Sequence, residues 1–242
     1  VPHSSNTTLP LPDHAKPAEP AAPVQRPSWG SDIGFRMRHH LLLKFLGVSA
    51  FMWVFFAAYF YLLRNPAHAV TAMPLTALDR AIPFQPETFA AYASLWLYVG
   101  IPAGLMLSLR EVLIYGLWMG ALCLTGLACF YLWPTAVPPH AFAADAASHT
   151  GMALLQGVDA AGNACPSLHV ATAAFTAIWV QRLLKLTHAK PLWSWLNGLW
   201  LLAIIYSTLA IKQHVVLDVL AGSALALAFG LPSLRWHPPA IR

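Results

Sequence analysis

The amino-acid sequence predicts an all-α fold, a bundle of six transmembrane helices. Three observations predict it. Hydrophobic residues make up 58% of the 242-residue chain and charged residues only 10%, against roughly 25% charged in soluble domains. Six apolar segments, 41–63, 89–109, 112–133, 168–187, 192–211 and 214–234, each approach the roughly 20 residues that cross hydrocarbon as a helix. The basic residues also divide unevenly between the loops, as membrane helices require. The length suits one membrane domain and leaves no room for a large soluble one.

Residues 1–30 carry seven prolines, at 2, 10, 12, 17, 20, 23 and 27, among Ala, Ser and Thr. Such a stretch cannot bury enough apolar surface to offset its ordering entropy. The expectation is a disordered cytoplasmic tail. It lacks the basic end, apolar core and small-residue cleavage site of a signal peptide. Residues 31–242 then form the six-helix domain.

Along that domain, the second and third spans meet at Arg110-Glu111, and the fifth and sixth are joined so tightly that they must be antiparallel neighbours. The fourth span is the least apolar, with Gln181 and Arg182 near its end, where long side chains reach the interface. Most tryptophans sit in or near the spans, as interface anchors and packing residues.

Orientation follows from the Lys/Arg bias. With a cytoplasmic N-terminus, the inner side holds Lys16, Arg26, Arg36, Arg38, Lys44, Arg110, Arg182, Lys185, Lys190, Arg235 and Arg242, and the outer side only Arg64, Arg80 and Lys212. Eleven against three decides the topology. It gathers residues 64–88, 134–167 and 212–213 on the outer face.

That face carries two notable stretches, Cys165-Pro166-Ser167-Leu168-His169 and Ser207 through Asp218. Each sets a histidine at the start of an apolar span, a costly position unless it is used. Asp218 follows His214 by four residues, so on one helix the two side chains share a face. A carboxylate there can fix the imidazole tautomer and leave the other nitrogen as a nucleophile. His169 then suits a general acid that protonates a leaving oxygen. Both histidines open helices whose N-termini favour an anion such as phosphate. Ser167 either caps the fourth helix or donates to a phosphate oxygen. Lys212 supplies a cation, and Ser207 and Thr208 supply hydroxyls. Phosphoryl transfer uses all of these parts.

Other chemistry is thinner. Cys123, Cys129 and Cys165 fit neither a disulfide framework nor a metal-binding pair, and read as packing residues. His68, His140 and His149 share no ligand spacing, so no metal site is expected. No basic-aromatic surface points to nucleic acid.

At these residues the chain resembles the type-2 phosphatidic acid phosphatase superfamily of membrane lipid phosphatases and phosphotransferases. Pro166-Ser167-Leu168-His169 matches the family's P-S-G-H motif with Leu for Gly. Ser207, His214 and Asp218 match its S-R-x-x-x-x-x-H-x-x-x-D motif, with Thr208 where Arg is usual. The P-S-L-H form resembles the branch of inositol phosphorylceramide and sphingomyelin synthases. The resemblance implies a six-helix core over about residues 40–234, a phosphohistidine on His214, orientation by Asp218 and leaving-group protonation by His169. It implies no cofactor or metal, a membrane lipid phosphate as substrate, and, with the small size, a bacterial inner membrane with the active site on its periplasmic face.

The family's first motif, K-x-x-x-x-x-x-R-P, is absent from the outer face, since the only Arg-Pro is Arg26-Pro27. Lys212 and Arg80 are the expected substitutes, although Arg80 also reads as a salt-bridge partner of Asp79 or Glu87. A smaller cation set suits a phosphodiester better than a doubly charged monoester. The acceptor, water or an alcohol, and the oligomeric state are not encoded. Two rival classes are a proton-coupled lipid transporter, which would need paired broken helices and internal pseudo-symmetry, and an inactive scaffold. Neither pattern of a transporter is present in the sequence, and the intact histidine sets weigh against a scaffold.

Overall fold

A computed structural model describes residues 28–138 and 162–235. The tail through residue 27, with His140 and His149, lies outside the described residues. Helix α1 (Trp29–Arg38) starts inside the last residues assigned to the tail. Ser28 caps it by accepting a hydrogen bond from Ser31 N, and Asp32 pairs with Arg36 at 2.7 Å. Trp29 stacks on Trp193, which anchors this helix to the bundle.

The chain continues through α2 (Leu41–Arg64), β1 (Thr71–Ala72), α3 (Ala77–Ala81), a 3-10 turn (Pro86–Thr88), α4 (Phe89–Ala93), α5 (Leu95–Tyr98), α6 (Ile101–Leu105), α7 (Leu109–Leu132) and β2 (Thr135–Ala136). Three helices complete it: α8 (Leu168–Leu186), α9 (Pro191–Ala210) and α10 (Val216–Arg235). Four of these, α2, α7, α9 and α10, are long and apolar enough to cross a membrane. The fold is therefore mostly helical and suited to a membrane, with four candidate spans among the described residues where the sequence predicts six.

The two differences have physical causes. Segment 89–109 is not one helix but the three short helices α4, α5 and α6. Pro102 has no N–H to give Tyr98, and its ring excludes that carbonyl from a helical bond. One turn earlier, Gly100 N and Leu97 N bond three residues back, to Leu97 and Ser94 carbonyls, rather than four. Ser94 Oγ also draws on the Ala91 carbonyl at 2.6 Å, a competition that bends helices. The other case is α8, which is long but too polar at its end to qualify. It lies inside the bundle: twelve of its nineteen residues are buried, and it packs on α7, α9 and α10.

Helix α8 is thus the axis of the bundle. Gly222 of α10 lets the two backbones close up, because a Cβ there would lie 2.4 Å from the Ser167 carbonyl oxygen. Gly126 of α7 makes room for Leu168, whose Cδ2 would be 2.3 Å from an added Cβ. Small residues at helix contacts are how membrane bundles gain close packing. Polar links are sparse but buried: Tyr98 Oη donates to Asn197 Oδ1 at 2.6 Å, Asn197 Nδ2 donates to Ala177 O, and Trp179 Nε1 donates to Ser233 Oγ at 2.9 Å.

One end of the bundle is closed by loop segments. β1 pairs in parallel with β2, Thr71 opposite Thr135, and Asn163 bridges to Thr135. Thr135 also accepts from Ala164 N at its carbonyl and from Cys165 N at its hydroxyl, at 2.9 and 2.8 Å. The segments after α2 and α7 and before α8 therefore meet at one end.

Substituting Gly222→Ala should lower the thermal midpoint in detergent by several degrees, since an extra methyl in a filled contact costs about 1–3 kcal/mol. Gly198→Ala, where a Cβ meets nothing within 4 Å, should be neutral or slightly stabilising. Equal midpoints for the two variants would refute the close contact.

Candidate active site

The site grows from the first turns of α8 and α10. Ser167 is fully buried and caps α8, its Oγ accepting from Val170 N at 3.2 Å. Of the two readings of Ser167, the structure shows the cap. His169 follows in the first turn. Its ring stacks on Tyr92 with centroids 3.9 Å apart and 9° between planes, and meets Trp96 edge-on at 5.9 Å. Its Nε2 lies 3.0 Å from the Tyr92 carbonyl. A carbonyl only accepts, so Nε2 carries a proton and Nδ1 is the nitrogen that can exchange one.

His214 is held differently from the expectation. It precedes α10 rather than lying on it, so helical register is not what joins it to Asp218. The chain leaves α9 through Lys212 in the left-handed region (φ 59°), and both Gln213 N and His214 N donate to the Thr208 carbonyl at 3.1 Å. Asp218 is the third residue of α10, and its Oδ2 reaches back to accept from Val215 N at 2.9 Å. This is the carboxylate half of a capping box. It brings Oδ2 to 3.5 Å from His214 Nδ1, too long for a hydrogen bond. His214 Nδ1 and the fully buried Asp218 Oδ1 are both left without hydrogen-bond partners among the described residues. A small rotation of the ring or the carboxylate would close the pair.

The two motifs are bonded directly: Ser167 N donates to the Asp218 carbonyl at 3.0 Å. His169 and His214 consequently line one cavity of about 470 Å³, with Tyr92, Trp96, Thr172, Asn163 and Gln213 near them and the apolar faces of α2 and α7 beyond. Among the described residues no Lys, Arg, Asp or Glu lines it. Nor do three metal-ligand side chains converge anywhere among them.

The other residues singled out in the sequence stand off this wall. Ser207 Oγ and Thr208 Oγ1 are buried and donate to the Ile204 and Ile205 carbonyls at 2.7 and 2.8 Å. Arg80 is exposed on α3. Lys212 Nζ turns to α3, donating to the Asp79 carbonyl at 3.0 Å and to the Ile82 carbonyl.

Asp79 is the residue sequence reasoning undervalued. It forms a capping box with Thr76, and its Oδ1 accepts from Val216 N, the first residue of α10, at 2.8 Å. Its carboxylate is thus engaged with Thr76 and Val216, and Arg80 is not its partner in the hydrogen bonds of this structure. Burial pushes the Asp79 carboxyl up, but hydrogen bonds from Thr76 and Val216 and the charge of Lys212 outweigh it and leave the group below its ordinary value. Burial lowers the Lys212 ammonium, against the attraction of Asp79. The Thr76-x-x-Asp79 spacing was a readable signal. For Tyr92, Trp96, Asn163 and Gln213 no local pattern exists, because their roles come from packing.

A depressed carboxyl stabilises the fold above its unfolded value of about 3.9 and loses that contribution as pH falls through the lower, folded value. The clamp on the His214 turn should therefore hold at neutral pH and fail in strong acid. Asp79→Ala should speed hydrogen exchange at the Val216 amide and cost about 1 kcal/mol, the usual worth of a lost cap. Unchanged exchange at Val216 would show that α3 does not hold the turn.

Comparison with curated proteins and with solved structures gives no significant match. A family model described as the PAP2 superfamily matches residues 76–231, from the cap of α3 almost to the end of α10. The match reaches the superfamily and not the inositol phosphorylceramide and sphingomyelin synthase branch. It covers most of the chain and both histidine stretches, and the chain belongs to the PAP2 superfamily.

Proposed function

We propose that the protein is a membrane enzyme that cleaves or transfers a lipid phosphate through a phosphohistidine on His214. The observation that carries this reading is the pairing of His169 and His214 on one cavity wall, with Asp218 behind the second ring. Asp218 faces Nδ1 and so leaves Nε2, on the opposite edge of the imidazole, as the attacking atom. That nitrogen bonds to phosphorus while the bond from phosphorus to the lipid oxygen breaks. His169, held through Nε2 by the Tyr92 carbonyl, gives its Nδ1 proton to the departing oxygen. Water or an alcohol then attacks the phosphohistidine, returns a proton to His169 and frees His214. The buried Asp218 charge stabilises the imidazolium character that His214 gains during attack.

The reading extends to topology. Eleven inner against three outer basic residues support a cytoplasmic N-terminus and a site on the outer, periplasmic face. α8 and the segmented α4 to α6 would then complete six crossings inside a shell of α2, α7, α9 and α10.

A second reading, head-group transfer, is favoured by a cavity wall that carries no Lys, Arg, Asp or Glu among the described residues. A phosphodiester carries one negative charge and needs fewer cations than a monoester, so neutral donors such as Asn163 and Gln213 can serve it. Products decide between the two. Purified protein would be given phosphatidic acid, an isoprenyl pyrophosphate, phosphatidylinositol and phosphatidylcholine, with and without ceramide or diacylglycerol, in EDTA. Free phosphate from the first two lipids marks a phosphatase, and a new head-group lipid that needs the acceptor marks a transferase.

Either activity should vanish in His214→Ala and fall by about 10²–10⁴-fold in His169→Ala, the usual worth of a general acid. Asp218→Asn should lower turnover sharply without loss of the folded state by circular dichroism. Full activity in His214→Ala would sink the proposal.

A further inference from the structure

The cavity runs far beyond the histidines. At their end stands Tyr59, whose hydroxyl accepts from Asn163 Nδ2. Gly47 lines the same cavity twelve residues earlier on α2, about 18 Å away at 1.5 Å per helical residue. Gly116 of α7 also lines it, four residues before Gly120 as Gly47 is four before Phe51. Between these levels the two helices touch, a Cβ on Gly120 lying 3.6 Å from Phe51 Cε2. One turn further in they do not: a Cβ on Gly47 or on Gly116 would meet no atom within 4 Å. Gly47 is exposed and Gly116 half-buried, so the inner end of the cavity opens beside the two glycines, and a side chain on either would enter open space.

We propose that this corridor holds an apolar chain of the lipid phosphate, and that Gly47 and Gly116 set the longest chain the enzyme accepts. The inference rests on the lipid-phosphate reading of the histidine site. Three features fix the occupant. The corridor is continuous with both histidines, its wall beyond them is aromatic and aliphatic, and its length is close to half of the roughly 30 Å hydrocarbon core. A lipid whose phosphate sits at the interface has its tail in one leaflet, over that depth. A charged or polar occupant would leave its groups unsatisfied against Phe51, Phe55 and Val112. Glycine is a poor helix former, so two of them at one level are not explained by helix stability.

The test uses the full chain in lipid nanodiscs and n-alkyl phosphates, from hexyl to octadecyl, with a diazirine at the chain end. Cross-linked peptides locate that end directly. The octadecyl probe should label α2 and α7 around Gly47 and Gly116, and the hexyl probe should label the level of Tyr59 and Phe130. Gly116→Leu and Gly47→Leu, which favour helix and enter open space, should cut inner labelling by octadecyl phosphate about tenfold or more, the scale on which filled apolar pockets discriminate chain size. Hexyl labelling should not change in them. Gly198→Leu, on α9 and off the cavity, should behave as wild type.

Labels spread over outward residues such as Trp53 and Leu124, and unaffected by the glycine substitutions, would overturn the corridor and mark ordinary membrane lipid. The expected labels from a protein that turns over no lipid phosphate would keep the corridor and refute the enzymatic reading instead.

Discussion

The structure depends on one backbone hydrogen bond and the close approach that permits it. Ser167 N donates to the Asp218 carbonyl, and Gly222 lacks a side chain that would meet the Ser167 carbonyl and hold the starts of α8 and α10 apart. Without that contact the two helix starts separate, and with them His169 and His214. Asp218 serves both fold and site from one position: its carbonyl joins the helices, and its carboxylate closes the first turn of α10 and faces the His214 ring. The energy of helix packing is thereby converted into placement of two imidazoles. Van der Waals packing and buried hydrogen bonds supply it, since lipid offers no hydrophobic drive between helices.

Charge is managed just as tightly. Ionisable groups inside a membrane are costly unless used or paired. Near the site, Lys212 Nζ is taken up by the Asp79 and Ile82 backbone carbonyls and the Asp79 carboxylate by Thr76 and Val216, all away from the cavity, and the cavity wall itself carries histidines but no permanent charge among the described residues. A phosphate there would meet amides, hydroxyls and imidazoles. Neutral donors in low dielectric hold a monoanion well and a dianion poorly, which links the electrostatics of the wall to the choice between head-group transfer and phosphate release.

Much of this was legible in the sequence, and what was not has a consistent cause. Helices α2, α7, α9 and α10 are long and apolar enough to cross a membrane, so their apolar runs report them directly. The motif spacing placed His169, His214 and Asp218 together, and the family match covers them. Hydropathy misjudged 89–109 because it counts apolar residues and ignores the N–H that Pro102 lacks. The His214–Asp218 pair has the expected spacing, yet a capping turn joins the two rather than a helical face, and spacing cannot tell those apart. Lys212 is adjacent in sequence to the site, but a left-handed backbone turns it toward Asp79. Asn163, Tyr92 and Trp96 come from distant segments, and only packing brings them to the histidines.

The central claim is that His214 carries the phosphoryl group. Its most direct test is to mix purified protein with lipid phosphate, quench in alkali, which preserves phosphohistidine, and sequence the peptide containing residue 214 by mass spectrometry. The account predicts a phosphate on His214 that disappears on mild acid treatment, and that accumulates when the acceptor is withheld. A phosphate found on His169 instead, or turnover with no covalent phosphate on either histidine, would contradict it.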